Sequence, residues 1–363
     1  VSQPLDTSIG EIHMLRGMAC MMILMVHVTA TYYYIQGETH HWLTFFLNQI
    51  SRFGTPIFAM ISGFLLFFHT RNRGFHLLRY VSSRVRKVLI PFLLWTAFYL
   101  WIKKTVLNLD VFQGYKQVIL QYIFLGRGYD HLWFMSVVLQ FSLLFPVIYR
   151  LLQNKRWWGT VLCFSFSINL WIIHWGKSME LGELFTDKAN LISWIYYFLL
   201  AGFLADHWGK IRKWSQQYKY GLLLLAFLVW VEALWELYFL GTTPSGRIAN
   251  LFGIPILVLA LVGWFPTLQK RTCLYKICRP VEQSAMGIYL IHPLLLSFNH
   301  WLPSFFWEPK WILLTWLFYL VVSMLVVRGI RFLPFHTCLI PVPRKPATLS
   351  TRPSCSTTLK NPG

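Results

Sequence analysis

The chain has 363 residues, 56% of them hydrophobic, 18% aromatic and only 13% charged, which is more apolar surface than a water-soluble fold of that size can hide. Its formal charge of +20 would suit phosphate binding if the basic residues formed a stripe, but they gather in alternate loops. That alternation is a topology signal, and no nucleic-acid partner is expected.

In chain order, apolar runs predict helices at roughly 12–35, 44–68, 88–108, 131–152, 157–175, 191–207, 220–240, 248–268, 282–300 and 310–330, long enough in general to cross a hydrocarbon core of about 30 Å. Lys and Arg concentrate at 71–87, 150–156, 210–219, 270–279 and from 328 onward, which puts the N- and C-termini on the cytoplasmic side. The expected fold is therefore all-α, a polytopic membrane protein of about ten spans. Residues 1–335 read as one membrane domain. Residues 336–363, rich in Pro, Ser and Thr, read as a disordered cytoplasmic tail. Val28-Thr29-Ala30 could pass for the end of a secretory signal, but a basic leader is missing and Arg16 interrupts the apolar stretch, so an uncleaved first helix is expected. The six cysteines include no CxxC pair and no zinc-like alternation with histidine, so free thiols and no structural metal are expected. Tyr32 to Tyr34, Trp157-Trp158 and Trp194 to Tyr197 gather near helix ends, as interfacial anchors do.

Ionisable groups inside a span are costly and invite a functional reading. In the first helix Arg16 and His27 are 11 residues apart, three turns plus about 20°, so both lie on one face about 16 Å apart, with Cys20 on the same stripe. The arginine suits a phosphate-bearing donor, and a neutral imidazole suits a general base. On spacing alone, a snorkelling arginine and a satisfied interhelical histidine are the favoured explanation. The second helix carries Arg52 at about the depth of His27, followed by Gly54, Ser62 and Gly63, small residues that let helices approach closely. Arg84 and Lys87 would share a face of a helix ahead of Pro91, where two cations can hold a diphosphate or simply anchor the cytoplasmic mouth. Glu232 and Glu236, one turn apart, reach the depth of His27. One of them is expected to pair with Arg52 or to orient His27, and an ion pair with Arg52 alone is the structural alternative.

GxSxG, HExxH, Walker A, GxGxxG and HxxxxD patterns are missing from the sequence, which argues against a serine hydrolase, zinc protease, ATP-driven pump, dinucleotide enzyme or glycerolipid acyltransferase of the soluble-facing kind. The combination that remains, Arg16 with His27, the stretch Arg52 to Phe64, Arg84 and Lys87 before Pro91, His131-Leu132-Trp133-Phe134 with Pro146, and Ser284 to His292 reading SAMGIYLIH, resembles the membrane acyltransferase-3 family, which includes bacterial surface-polysaccharide O-acetyltransferases. The resemblance runs nearly end to end. It departs at Lys87, where the family usually has Arg. Lys keeps the charge and loses the bidentate fork, a gap that Arg86 could fill.

The resemblance implies transfer of an acyl group, acetyl expected, from acyl-CoA to a hydroxyl of a surface or lipid-linked glycan in a bacterial-type cytoplasmic membrane, with acyl-CoA as donor substrate and no bound cofactor. His27 would be the base. Arg16, Arg84, Lys87 and Arg86 would hold the donor, and Arg52, Ser62, His131, Trp133 and His292 would line the acceptor site. Two rivals remain open: an exporter of a glycan or its precursor, whose buried polar groove would look alike, and a membrane-bound O-acyltransferase of the other polytopic family, which lacks the Arg16/His27 pairing.

Overall fold

The computed structural model describes residues 9–341 except 107, 112–113, 116–117, 176–186, 242–244 and 272. All of its regular elements are helices: α1 (Gly10–Ile35), α2 (Trp42–Ser51), α3 (Gly54–Arg73), α4 (Leu77–Arg84), α5 (Ile90–Thr105), α6 (Trp133–Leu152), α7 (Trp157–Trp175), α8 (Ile195–Asp206), α9 (Trp208–Gln217), α10 (Lys219–Leu240), α11 (Ile248–Arg271), α12 (Cys273–Ser297), α13 (Ile312–Ile330) and α14 (His336–Leu339). Wider π turns cover Val85–Leu89 and Val118–Phe124.

Among the described residues seven spans are long and apolar enough to cross a membrane, counting α2 with α3 and α4 with α5 as continuous. The other three expected spans are helical but fall short of that measure for visible reasons. Helix α8 has 12 residues, about 18 Å of rise. Helix α12 opens with Lys276, Arg279 and Glu282, and the apolar content of α7 is diluted by Ser, Asn and His.

Helix α1 sits at the centre, against α2, α3, α11, α12 and α13. One core layer joins α3, α6 and α8 through stacked and edge-on aromatic rings, among them Phe67 with Phe145 and Phe141 with Phe198. A second layer joins α1, α5, α12 and α13 around Leu24, Phe92, Tyr99, Ile288 and Tyr319. Helix α10, by contrast, buries only Leu222, Ala226 and Ala233, and most of its other residues face outward, as on a lipid-facing helix.

Small residues set the closest approaches, as expected from the second-helix sequence. A Cβ on Gly63 would run into the backbone of Phe198 on α8, and one on Gly54 would stand 3.0 Å from the Ala19 carbonyl oxygen of α1. At the opposite edge, Arg71 of α3 donates from Nε and Nη2 to the Asp206 carboxylate at the end of α8, at 2.7 and 2.6 Å, while Trp158 Nε1 of α7 donates to the same group at 3.0 Å. That buried clamp ties three helices together. Of the segment expected as a tail, His336–Leu339 forms a helical turn whose Leu339 carbonyl accepts from Trp95 Nε1 at 3.0 Å, with Ile340 buried behind it. Residues 342–363 lie outside the described residues.

Candidate active site

Helices α1 and α12 run parallel and in step, because the residues that meet between them rise together along both. Arg16 Nη1 lies 3.3 Å from Glu282 Oε1, Cys20 Sγ lies 3.9 Å from the Ala285 carbonyl oxygen, and the rings of His27 and His292 stand 4.8 Å apart. Close approach at the Arg16 end is possible because residue 17 is glycine; a Cβ there would collide with Cys278 of α12. Towards the histidine end a narrow gap, too small for a water molecule, is lined by Cys20, Ile23 and Leu24 of α1, Phe58 of α3, and Ile288, Tyr289 and His292 of α12. The Arg16/His27 stripe read from the sequence therefore faces a neighbouring helix.

At the histidine end three imidazoles form a row. His292 is buried, and its ring lies 5.5 Å from that of His131, which is buried just ahead of α6. His292 Nδ1 is 2.9 Å from the Ile288 carbonyl oxygen. A carbonyl only accepts, so Nδ1 carries the proton and the neutral ring presents its lone pair at Nε2. That Nε2 is buried and has no hydrogen-bond partner among the described residues. Tyr289 donates its hydroxyl to the His131 carbonyl, and Tyr99 donates to the Leu290 carbonyl at 2.7 Å, so α5 and α12 hold the row in place. The charges acting through space on the His27 ring are those of Asp130 and Lys188.

Arg52 occupies the break between α2 and α3. Its Nε donates at 3.0 Å to Asn48 Oδ1, while Asn48 Nδ2 donates to the Val26 carbonyl at 3.1 Å and to Thr29 Oγ1 at 2.9 Å. Arg52 is thus fastened to α1 at the level of His27, as its depth suggested. Trp133 lies 5.5 Å from the Trp194 ring and under the Lys188 ammonium at 5.6 Å. Ser62 sits half-buried on α3 beside Gly63, roughly 15 Å along the chain direction from Arg52, and is not among the residues gathered around the histidines.

Two expectations need correction. Glu232 and Glu236 pair with Arg247, Glu232 at 3.3 Å and Glu236 in closer contact, and among the described residues neither pairs with Arg52 or His27. Counting rise per residue fixes depth only. Laterally α10 packs on α11, whose entrance carries Arg247, and leaves α1 to others. Glu236→Gln is accordingly expected to lower thermal stability while leaving turnover within about twofold, because its partner is a largely buried structural guanidinium. A tenfold loss of turnover at unchanged stability would restore the catalytic assignment.

Nor do Arg84 and Lys87 share a face. Pro91 lacks an N–H and crowds the carbonyl four residues back, which belongs to Lys87, and the chain relieves this with the π turn at Val85–Leu89. Arg84 is turned inward, 5.8 Å over the Tyr80 ring with its Nε buried and unpartnered, whereas Arg86 and Lys87 are exposed. The charges of Arg73, Arg84 and Lys87 all act on the His69 ring of α3.

The sequence reading missed Glu282. It is buried and accepts both Arg16 and His13, whose Nδ1 is 3.0 Å away. The one signal available was a lone acid in a basic stretch after Lys276 and Arg279, at the foot of the helix that ends in His292.

A helical bundle with seven membrane-crossing spans among the described residues, three histidine rings in a row and a half-buried arginine paired with Glu282 defines a polytopic membrane protein. The chain belongs to the acyltransferase-3 family: the model described as "Acyltransferase domain" matches residues 9–329. It is 24% identical over 302 residues to a protein named probable poly-beta-1,6-N-acetyl-D-glucosamine export protein from Staphylococcus aureus strain MRSA252, covering 79% of this chain and 82% of that one. The same name is carried by a relative from strain MSSA476, 22% identical over the same shares, and by one from Staphylococcus epidermidis, 22% identical over 336 residues and 88% of each chain. No solved structure matches the chain.

Proposed function

We propose that the protein transfers an acyl group, acetyl by preference, from acyl-CoA to a hydroxyl of a surface or lipid-linked glycan, with His27 as general base, in a bacterial cytoplasmic membrane. The observation that carries this reading is the in-step arrangement of Arg16/Glu282 and His27/His292 along the seam between α1 and α12. It separates a cationic group suited to donor phosphate from a base suited to an acceptor hydroxyl. In the reaction, His27 takes the hydroxyl proton, the oxygen attacks the thioester carbonyl, a C–O bond forms as the C–S bond breaks, and the imidazolium returns its proton to the leaving thiolate. Trp133, beside Trp194 and Lys188, offers a face on which a sugar ring could pack.

The basic residues divide by burial. Arg84 is inward and half-buried, Lys87 outward and exposed. An Arg84→Ala variant is therefore expected to raise the KM for acyl-CoA about tenfold, the worth of one charge-assisted hydrogen bond, and Lys87→Ala no more than about twofold, since exposed charges contribute little. Michaelis curves for the donor read this directly; a larger effect at Lys87 would reverse the assignment.

The names of the relatives favour export as a second reading. The purified protein in nanodiscs, given radiolabelled acetyl-CoA and β-1,6-linked N-acetylglucosamine oligomers, separates the two. Ester-linked label on the oligomer together with CoA release supports transfer. Absence of both, with cell-surface polymer lost on deletion of the protein, supports export.

A further inference from the structure

We infer that His292 is a positioning residue for the transfer reaction, its Nε2 accepting a hydrogen bond from the His27 imidazole and thereby fixing which nitrogen of His27 faces the acceptor hydroxyl. This deepens the proposed function and rests on His27 being the base.

A general base of this kind needs an acceptor behind it, because an imidazole that is free to choose its tautomer presents a lone pair to the substrate only part of the time. Carboxylates usually serve. Here, among the described residues, none makes an ion pair or hydrogen bond with His27: Glu232 and Glu236 are held by Arg247, Glu282 by Arg16 and His13. Asp130, though it acts through space, is exposed.

What stands against the His27 ring is His292, 4.8 Å away between centroids. The bond to the Ile288 carbonyl commits its proton to Nδ1, and the remaining lone pair at Nε2 is buried with no partner among the described residues. A buried acceptor without a donor is costly, and the nearest ring that can supply an N–H is His27. His131 stands behind His292 with its backbone carbonyl tied to Tyr289, closing the site on that side. A neutral acceptor also suits a bilayer interior, where a carboxylate behind the base would have to be desolvated.

During transfer the His27 nitrogen facing the acceptor takes the hydroxyl proton. Its other N–H goes on donating to His292 Nε2, so the imidazolium is held by that bond until the proton leaves for the thiolate sulfur. His292 gains and loses no proton.

Two substitutions separate this role from packing. Asn carries its amide only as far as Nδ1, so His292→Asn can keep the bond to the Ile288 carbonyl while losing the acceptor. Gln reaches about as far as Nε2, so His292→Gln can restore it. Measured on the purified protein with labelled acetyl-CoA and β-1,6-linked N-acetylglucosamine oligomers, His292→Asn is expected to lower kcat about a hundredfold, within the range of general-base contributions, with both KM values within about threefold. His292→Gln is expected to recover to within about tenfold of the parent. Parent-like kcat in His292→Asn, or equal losses in both variants, would overturn the inference while leaving His27 as base intact. Parent-like activity in His27→Ala would overturn the general-base reading and this inference with it.

Discussion

A His27→Ala variant is expected to lose acyl transfer by about a thousandfold or more while keeping its oligomeric profile and thermal stability. The magnitude follows from what a positioned base supplies, about 10² to 10⁴ in rate. The retained fold follows from what His27 does structurally. Apart from the inferred bond to His292, no hydrogen bond or ion pair of its ring ties α1 to another helix among the described residues, and α1 is fastened at that level through Asn48 to Val26 and Thr29. The measurement is labelled acetate appearing on an oligosaccharide acceptor, beside CoA release, with size-exclusion chromatography as the folding control. Turnover above about a tenth of the parent rate would remove His27 from the mechanism. Surface polymer lost in such a variant while transfer stays intact would move the assignment to export.

The largest stability effect is expected far from the histidines, at Asp206. Its carboxylate, with a side chain 1% exposed, takes both nitrogens offered by Arg71 and the indole N–H of Trp158. Arg71 also donates to the Leu152 carbonyl at 3.1 Å and lies 5.3 Å over the Tyr149 ring. Removing the carboxylate leaves a guanidinium and an indole N–H without their acceptor where α3, α7 and α8 meet. Losing one partner of a buried pair costs about 3 to 5 kcal/mol, so Asp206→Ala is expected to lower Tm in detergent by at least about 5 °C. Asp206→Asn, which can still accept from Trp158, is expected to fall between. A Tm for Asp206→Ala within about a degree of the parent would show that the clamp contributes nothing. Acyl transfer measured well below the transition should be largely preserved, since the clamp lies in the layer built from α3, α6 and α8, outside the α1/α12 seam.

Much of the site is a matter of which helix stands beside which. Glu236 and His27 match in depth and are still not partners, because α10 packs on α11. Arg16 reads as an uncommitted donor clamp in the sequence and is in fact already engaged by Glu282, so a donor phosphate would have to share or displace that carboxylate. Arg84 and Lys87 lie three apart, and a helix would align them; the π turn ahead of Pro91 separates them, sending one inward and the other out. His292 stands in a recognisable sequence segment, yet its relation to His27 depends on α1 and α12 running in register through contacts at Gly17, Cys20 and Arg16.

The sequence by itself determined that this is a helical membrane protein, where its main spans fall, and that Arg16 and His27 share one face of the first of them. Hydropathy and the 3.6-residue period are local properties, and both are written in consecutive residues. Only the tertiary structure decided the neighbours: Glu282 for Arg16, Arg247 for the two glutamates, Asn48 for Arg52, and His292 for His27. Lateral neighbours within a bundle are chosen by packing between segments hundreds of residues apart, as between Arg16 and Glu282, and residue spacing along one helix carries no record of that choice.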